Sequence, residues 1–374
     1  MRVLRRWITC LAALLVTCGA VSGASVVDSP VDTTSGAIAM ANLDQQIIQL
    51  GDQPGVVELL LVRARFMGDY EALDRASAIA EARCETSGEL LRRARTRAAV
   101  HRFADALADL AAAERAGAKA DETDGLRGSI LVATGRAADA IAQLESEAIR
   151  HPGFASRSAL AGAYATVGRL ADADGLYVAA LSDLDTTLPF PYAWVYFARG
   201  LMWAEQGKDG PRGEALYAKA LMYLPGFVAA SIHLAELEVA RGDVASAIGR
   251  LEQVVASSNE PEALALLGQL RVRTGDPVGG RSDVSLARKR YESLLARHPL
   301  AFADHAAEFY LGAGADVERA WMLAQQNLAN RETERAFALA IKAAEAVGRH
   351  REACALVARA RAQASQVPAT ACLD

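Results

Sequence analysis

From Leu43 to about residue 362, apolar side chains recur at three- and four-residue spacing. They lie in Ala-rich stretches of 12 to 16 residues, separated by short breaks that carry Gly or Pro. That spacing puts the apolar positions on one face of an α-helix. No stretch shows the alternation of β-branched and polar residues that marks a half-buried strand. The pattern predicts an all-α chain. The prolines agree: Pro54, Pro152, Pro189, Pro191, Pro211, Pro225, Pro261, Pro277 and Pro299 fall in breaks or first turns, where a missing N–H costs nothing. Residues 25–42 mix Ser, Thr, Asp and Gly without a period and read as a flexible leader, and residues 363–374 read as a C-terminal tail.

The breaks are themselves periodic. Gly68, Gly135, Gly168, Gly207, Gly242, Gly275 and Gly348 each end a helical stretch, and each is followed by a second one. Aligned on these glycines, the units start near residues 54, 87, 121, 154, 193, 228, 261, 301 and 334, with steps of 33 or 34 wherever nothing is inserted. The longer steps contain Thr187-Leu188-Pro189-Phe190-Pro191 and Pro277-Val278-Gly279-Gly280. In the second unit His101 stands in place of the turn glycine.

The unit from Ala193 carries Tyr196, Gly200, Trp203 and Gly207 and, after a one-residue insertion, Tyr217, Ala220 and Pro225. The unit before it carries Leu160, Ala161, Tyr164, Gly168, Ala173, Tyr177 and Ala180. With this spacing the chain resembles the tetratricopeptide repeat (TPR) family over residues 54 to about 362. Gly213 is a departure, since Ala is usual there. The resemblance implies about nine helix-turn-helix hairpins, stacked over residues 43–362 into a right-handed superhelical solenoid with a concave inner surface. One hairpin cannot bury its own apolar face, and stacking its neighbours does.

It also implies where a protein or peptide partner binds. In the family the first helix of each hairpin lines the concave surface through a stripe at three- and four-residue spacing. Carried onto this chain, the stripe holds Trp194, Phe197, Ile232, Glu236, Gln269, Arg273, Phe302, His305 and Phe309. Members that clamp a peptide carboxylate carry Lys and Asn there. Leu201, Glu236 and Gln269 occupy those places here, which argues against that mode and leaves an apolar, aromatic groove.

Residues 1–24 stand apart. Arg2, Arg5 and Arg6 precede an apolar run from Trp7 to Val21 that ends in Ser22-Gly23-Ala24, the layout of a secretory signal peptide and too short for a membrane span. Localisation is therefore expected in the periplasm or cell envelope. A lipid anchor on Cys18, after Leu15-Val16-Thr17, is the alternative, although Thr17 is not the usual residue. Without residues 1–24 the net charge is −8, from 37 basic and 45 acidic side chains, with no basic stripe for nucleic acid. Of the three remaining cysteines, Cys354 and Cys372 could bridge, leaving Cys84; three separate thiols are the other reading.

No cofactor motif is present. Gly207-Lys208-Asp209 lacks the rest of a phosphate loop, and Gly312-Ala313-Gly314-Ala315 reads as another repeat turn. The nearest approach to a reactive cluster is Asp304, His305 and Glu308, where a spacing of three puts the imidazole and Glu308 on one helical face, as a metal-dependent enzyme would need. A helical first turn with favourable acids explains the same residues, and the sequence as a whole reads as a non-catalytic interaction scaffold.

Overall fold

The computed structural model describes residues 31–82 and 84–363. The chain divides into two units, Met1–Val31 and Asp32–Asp374, and every described helix belongs to the second. The expected signal segment and the tail beyond residue 363 lie outside the described residues.

An opening helix, α1 (Gly36–Leu50), is followed by nine helical hairpins. They are α2 (Val56–Met67) with α3 (Tyr70–Glu81), α4 (Ser87–Ala99) with α5 (Phe103–Arg115), and α6 (Ala120–Ala133) with α7 (Ala137–Arg150). Next come α8 (Phe154–Thr166) with α9 (Leu170–Ser182), α10 (Pro189–Leu201) with α11 (Gly210–Tyr223), and α12 (Val228–Ala240) with α13 (Val244–Ser257). The last three are α14 (Pro261–Arg273) with α15 (Pro277–Arg297), α16 (Pro299–Leu311) with α17 (Val317–Asn330), and α18 (Glu334–Ala346) with α19 (His350–Ala362). Among the described residues there is no strand. The units read from the glycine period coincide with the first helices to within a few residues. The longer step after residue 261 becomes the extended helix α15 of 21 residues.

Local chemistry sets the boundaries. Asp69, Asp209, Asp243, Asp276 and Asp316 each cap the second helix of a hairpin by accepting a backbone N–H from three residues on. Just before these caps the chain reverses through left-handed backbone, as at Gly68 (φ 61°) and Gly275 (φ 102°). His101 takes that conformation in the second hairpin (φ 57°).

The fifth hairpin departs from this scheme for a visible reason. Its first helix ends in a π-helical turn, Met202–Gln206, which absorbs the inserted residue. Gly207 is therefore right-handed (φ −74°), and Lys208 supplies the left-handed step (φ 55°). The same bulge accounts for Gly213, because a Cβ there would lie 2.6 Å from Ala204 Cβ. Close crossing explains Gly200 as well, where a Cβ would lie 2.7 Å from the Tyr217 ring.

The N-terminal boundary differs from the expectation of a flexible leader to residue 42. Helix α1 starts at Gly36, capped by the Ser35 hydroxyl accepting from the Ile38 N–H, and buries Ala39, Leu43 and Ile47. These lie four apart and cover α2 and α3, so the first hairpin does not end the stack. The Thr34 N–H donates to the Thr187 carbonyl at 2.8 Å, and a Cβ on Gly36 would lie 2.8 Å from the Tyr223 carbonyl oxygen.

Those contacts begin a series. The turn of the first hairpin, at Gly68, meets Val228, Ser258 and Glu260. Tyr70 OH donates to Glu260, and Asp74 binds Arg297 and the His298 ring, the latter at 2.7 Å. In the second hairpin His101 Nδ1 is 3.2 Å from the Leu300 carbonyl oxygen, and Asn330 Nδ2 donates to the His101 carbonyl at 3.0 Å. In the third, the Glu332 N–H donates to the Thr134 carbonyl at 3.3 Å. Each of these turns thus meets the linker that follows the hairpin five places further on. The superhelix completes a turn and rests on itself.

Candidate functional site

Because the coil closes, the concave faces of the early and late hairpins oppose one another. Between them lies a half-open cavity of about 780 Å³. Leu61 and Arg65 of α2, Arg95 of α4, and Leu126 and Ile130 of α6 line one side. Phe197 and Leu201 of α10, Ile232 and His233 of α12, Glu262 of α14, Phe302 and His305 of α16, and Arg335 of α18 line the other.

The expected stripe divides. Phe197, Ile232, Phe302 and His305 line the cavity as its geometry requires. Trp194 instead lies half-buried between Phe154 and Tyr177, with ring centroids 6.1 and 6.2 Å away, and belongs to the packing between the fourth and fifth hairpins. Phe309 is buried against Tyr291 and Tyr310 at 5.0 Å each. A side chain at stripe spacing turns into the stack where the neighbouring hairpin leaves room, and both aromatics do so. Glu236, Gln269 and Arg273 are exposed and do not line the cavity.

The cluster around His305 takes a different form from the one expected. Glu308 is held by Arg335 at 3.2 Å, so it does not join the imidazole. Glu262, from the preceding hairpin, does: its Oε2 is 3.3 Å from His305 Nδ1, within ion-pairing distance but off the angle of a good hydrogen bond. Asp304 Oδ2 lies 3.9 Å from His305 Nε2 and also pairs with Arg331. The charge of Asp304, aided by Glu262 and opposed by burial, pushes the His305 imidazole up to about 10. Burial works against the ionised Glu262, yet the imidazolium holds it down at about 2. This is a salt-bridge network with a charged histidine at its centre, poorly suited to passing protons near neutrality. Among the described residues no group of three acidic, His or Cys side chains is placed to hold a metal ion.

The remaining wall groups are mostly compensated. Burial, then the charge of Arg331, lowers the His101 imidazole to about 4, so it is neutral near pH 7. His233 is desolvated, but Glu236, at 3.0 Å, outweighs that and raises it. Burial and the charge of Glu262 raise the Glu260 carboxyl, which accepts from Tyr70 OH. Arg65 is the exception: it is exposed and forms no ion pair or hydrogen bond among the described residues, and desolvation by the surrounding walls lowers its pKa. It lines the cavity.

The stripe, read at only some places in the fifth to eighth units, missed the charged residues of this wall. Arg65, Arg95, Glu262 and Arg335 occupy stripe places in the first, second, seventh and ninth units, so applying every stripe place to every unit would have found them. Arg331 and Glu260 lie in linkers, and only the closure of the coil brings them in.

Cys354 lies on α19, and Cys84 is an exposed free thiol. Cys372 lies outside the described residues, and so does Cys18. No described helix is long and apolar enough to cross a membrane.

Residues 206–270 match the family profile described as tetratricopeptide repeat. Among curated proteins the sequence finds no match. Among solved structures the chain is similar to one in the APC/C hetero-tetramer Cut9-Hcn1, at 15% identity and a TM-score of 0.49, over 88% of this chain and 64% of that one. A tetratricopeptide repeat protein from Parabacteroides merdae shares 17% identity over 69% of this chain and 98% of its own, with a TM-score of 0.41. The human IFIT1 dimer with PPP-AAAA shares 14% identity over 88% and 91%, with a TM-score of 0.47. The chain thus spans about two thirds of the first of these.

Proposed function

The chain carries tetratricopeptide repeats, and from that premise we propose that it is a non-catalytic scaffold of the cell envelope that holds a protein partner. The observation that carries this reading is the state of its polar residues. Asp304, Glu308 and Glu262 are tied to Arg331, Arg335 and His305 in structural pairs, so none is left to act on a substrate. Meanwhile Glu236, Gln269 and Arg273 remain exposed on two successive repeats. Exposed polar and charged side chains at repeat spacing give a partner register and orientation.

Export rests on Arg2, Arg5, Arg6 and the apolar run to Val21. The mass of the mature N-terminus from envelope fractions tests it: cleavage after Ala24 supports a periplasmic protein, and a diacylated Cys18 supports the lipid-anchored alternative. Partner capture is tested by cross-linking the wild-type chain and the double variant Gln269→Arg, Arg273→Glu in envelope extracts. The double variant should lose the cross-linked partner while the helical circular dichroism and melting temperature hold. An unchanged cross-link would remove these residues from the partner surface.

A further inference from the structure

We propose that the central cavity binds a small amphipathic acid, an apolar body with a single anionic head, and that Arg65 holds the head. The proposal goes beyond the scaffold reading, whose residues Glu236, Gln269 and Arg273 lie outside the cavity lining.

The charges around the cavity select the sign of the head. Arg331 and Arg335 are bound to Asp304 and Glu308, His305 lies between Asp304 and Glu262, and His233 pairs with Glu236. Arg95 has only a long contact of 3.9 Å to Glu58. Arg65 has none, and its exposed side chain lines the cavity. A guanidinium on a cavity wall with no protein acceptor is free to meet a ligand carboxylate with two of its N–H groups at once. Arg65 sits in the last turn of α2, where the helix carbonyls favour a cation without satisfying the guanidinium fork. One uncompensated positive charge, with a second weakly held beside it, matches one anionic head. It does not match a metal cation or a polyanionic chain.

The rest of the wall selects the body. Leu61, Leu126, Ile130, Phe197, Leu201 and Ile232 come from both sides of the cavity. A volume of about 780 Å³ falls within the range of small-molecule sites, on the order of 300–1,000 Å³. The acid would lie with its tail among these side chains and its head on α2.

The test is titration calorimetry of the full mature chain with octanoate, decanoate and dodecanoate, using decanol as the uncharged control. Saturable one-site binding of the acids is expected, with decanol at least tenfold weaker. Arg65→Gln should weaken the acids about ten- to a hundredfold, the loss expected of a charged hydrogen-bonded contact, and bring decanoate level with decanol. Leu126→Trp, which fills the apolar wall and leaves Arg65 in place, should abolish binding of the acids. It keeps the proposal testable if Arg65→Gln does not fold. No saturable binding of any acid by the wild-type chain would overturn the proposal. So would equal affinity for decanoate and decanol, or full affinity in a folded Arg65→Gln or Leu126→Trp variant. Partner cross-linking is read separately through Gln269 and Arg273, so either reading can fail alone.

Discussion

Gly135 and Glu332, nearly two hundred residues apart in sequence, lie so close that a Cβ on the glycine would stand 2.3 Å from the glutamate's carbonyl oxygen. Gly168 has the same left-handed backbone, φ 79° against 86°, with nothing within 4 Å of the Cβ position. The two glycines separate backbone strain from contact between superhelical turns. Gly168→Ala should cost about 1 kcal/mol from strain alone. Gly135→Ala should cost about 3 kcal/mol, since it also displaces the 331–333 linker. Thermal or denaturant unfolding of the two variants gives the comparison, and equal losses would mean that the coil does not close at this point in solution.

Within the fifth hairpin the helices cross closely at Gly200 and Gly213. Gly200→Leu should destabilise by about 1–3 kcal/mol through its clash with Tyr217. Gly213→Ala, the residue usual in the family, should also destabilise rather than help, because Ala204 on the π-turn occupies that space. A higher melting temperature for Gly213→Ala would contradict the π-turn.

Two histidines set opposite limits on the pH range of stability. His101 has its imidazole lowered, first by burial and then by Arg331, from 6.5 to about 4. The unfolded chain therefore takes up the proton first, and this contribution, present above 6.5, is lost as pH falls towards 4. It amounts to something on the order of 2 kcal/mol once screening of the half-buried ring is allowed for. His305 is raised to about 10, chiefly by Asp304, so its contribution is present below 6.5 and is lost as pH rises towards 10. Stability should peak near pH 6.5. His101→Asn, which suits left-handed backbone, should flatten the acid side, and His305→Gln the alkaline side. Denaturant midpoints measured across pH 4–10 check both, and an unchanged acid limb in His101→Asn would rule out the buried neutral imidazole.

The C-terminal bridge remains a sequence expectation. If Cys354 and Cys372 are joined, non-reducing peptide mapping of exported material finds them in one linked peptide, and only Cys84 is alkylated in the folded protein. The bridge would contribute about 3 kcal/mol for a loop of roughly this length. Alkylation of all three thiols would exclude it.

The sequence was most legible where packing is between neighbours. Glycines such as Gly168 and small residues such as Ala173 and Ala180 recur because every hairpin meets the next in the same way, so the period shows through. The start of helix α1 was missed because it carries no repeat signature: only Ser35 and the four-residue spacing of Ala39, Leu43 and Ile47 mark it. The closure was illegible for a deeper reason. Asp74 with His298, and His101 with Leu300, meet through the sum of many small rotations between hairpins, and no local pattern encodes that sum. For the same reason the stripe yielded Phe197 and Ile232, while the role of Arg65 waited on the opposing wall.

The resting of one superhelical turn on another also changes how the chain comes apart. An open array of hairpins loses its ends first, each repeat held only by its neighbour. Here the first three hairpins are held by the sixth to ninth as well, through Tyr70 with Glu260, Asp74 with Arg297, and Thr134 with Glu332. Fraying at either terminus must break contacts at both, so the two ends share one cooperative transition. The slowest-exchanging amides should therefore extend into the first hairpins instead of being confined to the middle of the stack.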